Sequence, residues 1–326
     1  MQEQSHIPKK TPCRMTMDEL VNYRKAQRAY AVQTDAPLAR VDWRALLHPL
    51  LYVGLRIAHL ASGFRVTANG RAPRTRRPVV YAASHIGLYD VEAVLHAIRK
   101  HAYILSGDEE QMYRTLDGLL FDMNGVIYVD PEDSADKHVA LQTAIRYLQS
   151  GRSLLWYPEG TWNLSPNVII QPLYYGIIEA AYQSGALIVP VGLEQYDLEK
   201  GKKFIVNIGL PMDVRQLAGQ LTKASKIELA ETLRGEMAAM KLAAWENASR
   251  ADIPDGYADT FVNSRLSEWP RYSVELLSRR LRKPAGQVTY TEALAHESSA
   301  AFPRKRVFAK NERRRYVGMK NVGLMR

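Results

Sequence analysis

The sequence lacks the features that mark disulfide-bonded, cysteine-metal and membrane-spanning proteins. Its single cysteine, Cys13, excludes an intrachain disulfide and a cysteine-based metal cluster. No stretch approaches the roughly 18 uncharged apolar residues expected of a membrane-spanning helix. The first residues have no continuous apolar core of a secretory signal. These absences predict a mostly water-facing protein of a reducing, cytoplasmic compartment.

Acidic residues are fewer than basic ones, and the net charge is +10 over 326 residues. Such an excess predicts an anionic partner, which is nucleic acid, an anionic bilayer, or a phosphorylated cofactor or carrier protein. Charge alone does not choose among them. The basic tail of residues 304–326 is more typical of a solvated face than of a specific contact. Nothing there resembles a nucleic-acid-binding motif, so nucleic acid is the disfavoured partner.

The order of the segments predicts the architecture. Residues 1–40 form a polar leader, residues 41–250 alternate short apolar strands with helices, and residues 251–326 form a helical and basic C-terminal extension. Alternation at this interval predicts an α/β fold with a mixed, mainly parallel central sheet flanked by helices. The expected strands include residues 187–191, in which Pro190 indicates an end or an irregularity.

Residues 43–61 (WRALLHPLLYVGLRIAHLA) are dense in apolar side chains but are interrupted by His48, Pro49, Arg56 and His59. The segment is therefore interpreted as too polar to span a membrane. It suits an amphipathic helix at the water–lipid boundary. A core helix packed on the sheet is the alternative, because periodicity does not identify the apolar neighbour.

Three short runs carry the residues capable of chemistry: 84–90 (SHIGLYD), 125–130 (GVIYVD) and 157–161 (YPEGT). Each begins at or just after a short apolar run typical of a strand. The polar residues are therefore expected at strand ends, where α/β proteins usually place their sites.

In the first run, His85 directly follows a strand and Asp90 lies where a helix starts. A carboxylate bonded to one ring nitrogen orients the imidazole and leaves the other nitrogen to take a proton from a hydroxyl. The pair is thus a candidate general base with its orienting partner. The alternative is that Asp90 only caps the helix and His85 is an ordinary loop residue.

The third run offers a carboxylate from Glu159, a hydroxyl from Thr161 and backbone N–H groups freed by a turn at Gly160. All three would lie at one strand end. The alternative is an ordinary turn with Glu159 in solvent.

Together, these runs resemble the glycerolipid acyltransferase family, the lysophospholipid acyltransferases typified by 1-acylglycerol-3-phosphate acyltransferase. The family block N-H-x-S-x-x-D looks like residues 84–90, and G-x-I-F-I-D-R looks like residues 125–131. F-P-E-G-T-R-S looks like residues 157–163, and a short V-P-V strand matches residues 189–191. The blocks occur in the family's order, and the resemblance covers roughly half of the chain.

The resemblance implies transfer of a fatty acyl group from acyl-CoA or acyl-carrier protein to a lyso-lipid hydroxyl in phospholipid biosynthesis. It implies neither a metal, nor a permanently bound cofactor, nor a covalent enzyme intermediate, and it places the protein peripherally on the cytoplasmic face of the membrane. His85 would be the base and Asp90 its partner. The implied substrate-binding residues are Ser84, Gly87, Tyr157, Glu159, Gly160, Thr161 and Trp162. The alternative is a non-catalytic lipid- or membrane-binding protein on the same fold.

Departures from the family pattern concern the acceptor. Pro131 and Trp162 occupy positions where the family has arginines associated with the acceptor's phosphate, and neither residue replaces a bidentate arginine. Ser84 and Gly87 are smaller changes. Residues 174–175 are two tyrosines where a lysine pair is frequent. The acceptor is therefore either a lysophosphatidic acid-type lipid whose phosphate is held by other cations, or a lyso-lipid without a phosphate. The aromatic residues suggest a pocket lining by Tyr157, Trp162, Tyr174 and Tyr175, with core packing as the alternative for these rings.

Overall fold

A computed structural model describes residues 14–38, 41–87, 89–107, 116–163, 169–197 and 201–248 of the chain. The predicted helical and basic C-terminal extension, residues 251–326, and Cys13 lie outside these described residues. The described residues include the runs 84–90 and 157–161, which were assigned catalytic or substrate-binding roles, apart from position 88.

Within the described residues, the chain forms one seven-stranded sheet with helices on both faces. The strands are β1 Arg65–Asn69, β2 Val79–Ala83, β3 Tyr103–Ser106, β4 Val126–Tyr128, β5 Leu154–Trp156, β6 Leu187–Asp197 and β7 Lys202–Ile208. The helices are α1 Met17–Gln33, α2 Val41–Ser62, α3 Asp90–Ile98, α4 Leu116–Asn124, α5 Ser134–Gln149, α6 Gly176–Ser184, α7 Val214–Ala218 and α8 Lys223–Ala248.

The sheet order is β1-β7-β6-β2-β5-β3-β4, and only β6 and β7 pair antiparallel. This confirms the predicted mixed, mainly parallel sheet. Strands β2 and β5 are direct neighbours, with Val80 opposite Leu154. The loops that follow these two strands therefore leave the same edge of the sheet, and this edge carries residues 84–90 beside residues 157–161.

Both faces of the sheet are buried, which is the usual condition of a parallel sheet. In β2, Val80 and Ala82 pack in the core that contains α5, α6 and α8 side chains. Tyr81 and Ala83 face the opposite core, which contains α3. The alternation along one strand thus fixes which helices cover which face.

Helix α8 approaches β6 more closely than side chains normally allow. A Cβ atom at Gly192 would lie 2.1 Å from the backbone nitrogen of Lys241, so only glycine fits. Asn207 of β7 donates from its side-chain amide to the Met240 carbonyl at 2.8 Å. The face of α8 that packs on the sheet is apolar, and its members are all buried: Leu229, Leu233, Met237, Met240 and Ala244.

Pro190 does not end its strand, contrary to one reading of the sequence. Strand β6 continues to Asp197. The Pro190 carbonyl accepts a hydrogen bond from Gly209, which follows the last residue of β7. Pairing of β6 with β7 starts one residue later, at Val191 and Ile208. The proline therefore lies at the margin of that ladder, where its missing N–H removes no ladder bond.

Helix α2 exposes a continuous apolar stripe, and only 11% of the segment Trp43–Ser62 is buried. The stripe consists of Trp43, Leu46, Leu50, Val53, Ile57 and Leu60, which recur every three or four residues. The core-helix alternative is therefore wrong. The interpretation as too polar to span is also not supported, because this segment is long and apolar enough to cross a bilayer when judged by length and composition.

The most buried side chains of α2 among the described residues are two histidines, His48 and His59. His59 stacks on Phe64 with ring centroids 3.9 Å apart and lies 5.7 Å from the His96 ring of α3. His48 contacts His101 edge to face at 5.3 Å. Burial lowers the pKa of His59 to about 4, and it does the same to His101. At neutral pH these imidazoles are uncharged parts of the helix contact.

Candidate active site

The predicted contact between His85 and Asp90 is present. Asp90 is fully buried, and its Oδ2 atom lies 2.8 Å from His85 Nδ1. The same oxygen accepts the backbone N–H groups of Ile86 at 2.5 Å and Gly87 at 3.0 Å. Since an ionised carboxylate only accepts hydrogen bonds, Nδ1 carries the ring proton and Nε2 is left as an acceptor.

Asp90 is not a helix cap. Helix α3 begins at Asp90, and its N-cap position is Tyr89, which makes no side-chain capping bond. The carboxylate instead accepts from the loop that precedes the helix, as the two loop N–H groups show. The N-cap alternative from the sequence is therefore wrong, and Asp90 fixes both the imidazole and the backbone around it.

The His85 ring is held between aromatic side chains. It stacks on Tyr157 with centroids 4.2 Å apart and an interplanar angle of 24°, and it meets Trp162 edge to face at 6.0 Å. Tyr157 and Trp162 are both buried, whereas the His85 side chain keeps 21% of its surface exposed. The imidazole thus packs against aromatic rings and has one side open to solvent, from which a substrate could approach it.

Glu159 is fully buried and holds two backbone segments together. Its Oε1 accepts the His85 N–H at 3.1 Å, and its Oε2 accepts the Gln171 N–H at 2.8 Å. Burial raises the pKa of Glu159, and the nearby Lys241 ammonium opposes that rise. The alternative of a solvent-exposed turn residue is wrong. The geometry assigns Glu159 to support of the His85 loop rather than to a direct substrate contact.

Two other residues with predicted substrate roles also serve the loop. Ser84 is fully buried, and its hydroxyl accepts the N–H of Leu193 in β6 at 3.0 Å. Gly87 is buried and gives its N–H to Asp90. Their placement gives no support to direct contact with substrate, although it explains why small residues follow β2.

The turn after β5 differs from the expectation in one respect. The Gly160 N–H donates to the Tyr157 carbonyl at 3.0 Å, so it is not a freed donor. Gly160 itself has φ +69°, and a Cβ there would lie 2.4 Å from the exposed ring of Tyr174. The Thr161 hydroxyl is buried and has no hydrogen-bond partner among the described residues, so it remains the candidate polar contact for substrate in this turn.

The run at residues 125–130 is not brought to His85, because it ends on edge strand β4, separated from β2 by β5 and β3. Asp130 there pairs with Lys25 of α1. Arg28 of the same helix pairs with Asp136 at 3.2 Å. The end of β4 is therefore a site of attachment for α1, and Pro131 beside it is exposed.

Sequence reasoning missed several residues that hold the site. Asn163 donates its backbone N–H to the His85 carbonyl at 2.6 Å and its side-chain amide to Ile169 at 2.9 Å. Arg234 and Lys241 of α8 are buried behind the same loops. A signal for the latter two existed, since they are cations seven positions apart on an otherwise apolar helix face.

Residues 64–194 match the family model described as Acyltransferase. A search of the curated proteins finds no match. Among solved structures, the chain is similar to the crystal structure of the 1-acyl-sn-glycerophosphate (LPA) acyltransferase PlsC from Thermotoga maritima, with 16% sequence identity and a TM-score of 0.48. That match covers 74% of this chain and 100% of the other.

Proposed function

Since residues 64–194 match the family model described as Acyltransferase, we propose that this protein moves a fatty acyl group from acyl-CoA or acyl-carrier protein to the hydroxyl of a lyso-lipid. The observation that carries the proposal is the 2.8 Å contact between His85 Nδ1 and the buried carboxylate of Asp90. It leaves Nε2 of an oriented imidazole as the proton acceptor. A thioester donor and an alcohol acceptor need such a base and no enzyme nucleophile.

In the proposed reaction, His85 Nε2 takes the proton of the acceptor hydroxyl as its oxygen attacks the thioester carbonyl carbon. A carbon–oxygen bond forms, and the tetrahedral intermediate then breaks its carbon–sulfur bond. The imidazolium, stabilised by Asp90, returns the proton to the departing thiolate. The products are an ester and a free thiol, and the histidine ends neutral. A positioned base of this kind contributes about 10²- to 10⁴-fold to rate.

The acceptor is proposed to be a lyso-lipid without a phosphate at the position that the family's arginines contact. Trp162 is buried and packs edge to face against the His85 ring, where an arginine would carry charge. Pro131 at the second position has no cation to offer, and the neighbouring Lys25 is paired with Asp130. An aromatic wall favours apolar and neutral parts of an acceptor over a dianionic phosphate.

The membrane location is proposed from α2. Its apolar stripe is exposed over the length of the helix, and the chain as a whole has a net charge of +10. These two properties support peripheral attachment to an anionic, cytoplasmic membrane face. Attachment there would bring His85 to the surface that holds the lipid acceptor.

The test is thiol release from acyl-CoA and from acyl-carrier protein by purified protein with a panel of lyso-lipids. We expect turnover to fall at least about 10²-fold in His85→Ala. The matched control is His138→Ala, which removes an exposed histidine of α5. Equal turnover by wild type and His85→Ala would remove the catalytic assignment. Vesicle binding without any thioester consumption would instead favour the non-catalytic lipid-binding alternative.

The acceptor proposal has its own comparison within that panel. We expect a lyso-lipid lacking the phosphate to be acylated with a higher kcat/KM than lysophosphatidic acid of the same chain length. Trp162→Arg is expected to narrow this difference by raising the relative rate with the phosphate-bearing acceptor. A preference for lysophosphatidic acid in the wild type would contradict the proposal about the acceptor and would leave the acyl transfer itself standing.

A further inference from the structure

One peptide group in the core is held from both sides by charged side chains. The carbonyl of Ile170 accepts a hydrogen bond from Arg234 Nε at 2.9 Å. The N–H of the next residue, Gln171, donates to Glu159 Oε2 at 2.8 Å. Because Ile170 C=O and Gln171 N–H belong to the same amide plane, the guanidinium and the carboxylate polarise one dipole in the same direction.

The chain of hydrogen bonds continues to the catalytic loop. The second oxygen of Glu159 accepts the backbone N–H of His85 at 3.1 Å. The carbonyl of His85 in turn accepts the N–H of Asn163 at 2.6 Å. Every link is a backbone group or a buried side chain. The position of the His85 backbone is therefore tied to helix α8 through Glu159.

An ionised carboxylate accepts two N–H groups more strongly than a protonated one does. Glu159 is fully buried, and an ionised carboxylate in such a place needs compensation. Lys241, buried on the same helix as Arg234, lies 3.8 Å from Glu194, and its positive charge opposes the rise that burial causes in the pKa of Glu159. The close approach of α8 at Gly192 fixes this lysine against the sheet. Helix α8 thus brings two cations to the back of the site.

We propose that Arg234 is a positioning residue for acyl transfer, which acts through the Ile170–Gln171 peptide and Glu159 to hold the His85 backbone in place. The inference rests on the proposed function, and it assigns a role to α8, which lies outside the residues matched by the family model. Arg234 does not touch the reacting atoms in this scheme. Its loss displaces the base without removing it.

The first test compares three substitutions in the full-length protein. Arg234→Met removes the donors, and we expect kcat to fall about tenfold with KM changed less than about twofold, because a base that is displaced affects chemistry more than binding. Arg234→Lys keeps a cation at this position and is expected to recover part of the loss. Leu233→Ala is the matched control, since it removes a fully buried neighbour on α8 and lowers stability without breaking the chain of hydrogen bonds.

The second test is a double-mutant cycle with Glu159→Gln. If Arg234 acts through Glu159, Arg234→Met lowers kcat by less than about threefold in the Glu159→Gln background. If the losses of kcat in the two single variants instead multiply in the double variant, Arg234 acts independently of Glu159, and the proposal is overturned. A loss in Leu233→Ala equal to that in Arg234→Met would overturn it as well, because it would indicate a stability effect alone.

A third measurement does not depend on turnover, which keeps the proposal separate from the proposed function. Amide hydrogen exchange at His85 and Gln171 is expected to accelerate at least about tenfold in Arg234→Met, and to do so more than in Leu233→Ala at matched global stability. If the wild type transfers no acyl group, the proposed function fails, and this exchange result still decides the link. Unchanged exchange at both amides would overturn the link even in an active enzyme.

Discussion

The carboxyl end of β2 and helix α2 break the ordinary rule of burial in opposite ways. At the sheet edge, Asp90 and Glu159 are carboxylates with no exposed surface. On α2, Leu46 and Leu60 are aliphatic residues with about 80% of their surface in water. One region hides charge, and the other displays apolar surface.

The two exceptions differ in where their compensation lies. Glu159 meets two backbone N–H groups and the field of a buried lysine, all within the chain. The side chains of the stripe on α2 are about half to four-fifths exposed among the described residues, and the opposite face of the helix already contacts His96 and His101. A buried polar group with internal partners indicates a site, whereas an exposed apolar stripe indicates an external neighbour.

The largest expected effect comes from removing the buried negative charge of Asp90 at the sheet edge. Asp90→Asn replaces an acceptor of three hydrogen bonds with a side chain that also donates, so the His85 tautomer is no longer fixed. We expect turnover to fall about 10³-fold. The control is Asp136→Asn, a buried carboxylate paired with Arg28 away from the site. It should lower stability, measured by urea unfolding, and leave kcat within about threefold. Loss of turnover in both would contradict the assignment.

The next effect tests the external neighbour of α2. The double variant Leu46→Asp/Leu50→Asp removes two exposed leucines from the stripe, and we expect its affinity for anionic vesicles to fall at least about 100-fold. Its free energy of unfolding in buffer should change by less than about 0.5 kcal/mol per site, because neither side chain is buried. Leu210→Asp/Leu217→Asp adds the same charge at leucines that are about 60% exposed elsewhere. Equal losses of vesicle binding in the two double variants would remove α2 as the attachment surface.

A smaller effect concerns the histidine side of α2. The pKa of His59 is lowered to about 4 by burial and by His96, and the unfolded chain takes up this proton near pH 6.5. Stability is therefore lost as the pH falls from about 6.5 to about 4, by about 3 kcal/mol for this residue. His59→Phe keeps the stack on Phe64 and should make that part of the profile of unfolding free energy against pH less steep, with the remaining slope coming from His101, whose pKa is also lowered to about 4. His138→Phe, at an exposed position, should leave the profile unchanged; a profile that keeps its slope in His59→Phe would refute the role of His59.

The smallest expected effect is on the free energy of unfolding, and it distinguishes a buried hydroxyl with a hydrogen-bond partner from a buried hydroxyl without one. The Tyr81 hydroxyl is buried without a hydrogen-bond partner among the described residues. Tyr81→Phe is expected to be neutral or to raise the free energy of unfolding by up to about 1 kcal/mol. Ser84→Ala, only three residues later, should lower it by about 1 kcal/mol because the Leu193 N–H loses its acceptor. A destabilised Tyr81→Phe would show that the hydroxyl has a partner after all.

The sequence predicted those parts of the structure whose signal is local. Strands β2, β3 and β5 are apolar runs bounded by turn residues, and a strand followed directly by His85 and a helix at Asp90 was enough to predict the side-chain contact. Helix α4 was not predicted, because Leu116–Asn124 contains Gly118 and two aspartates within nine residues. Local propensity there is overridden by contacts with α2 and β3.

What the sequence did not predict depends on distant partners. Arg234 bonds a backbone carbonyl 64 residues away, and a carbonyl leaves no trace in a pattern of side chains. Glu159 was given a substrate role because its residue type permits one, whereas its two actual partners are N–H groups of His85 and Gln171. For α2, the spacing showed the stripe but not which neighbour lies against it. These are properties of tertiary packing, which periodicity does not encode.

The contact at Gly192 makes turnover vulnerable to a change that adds no charge and removes no polar group. A single methyl group there would act as a wedge between the sheet and α8, because it would lie 2.1 Å from the Lys241 nitrogen and 2.3 Å from the Met240 carbonyl carbon. The helix would have to lift, and the cations behind Glu159 would lift with it. Gly192→Ala, a conservative substitution outside the active site, would thus impair turnover by displacing α8.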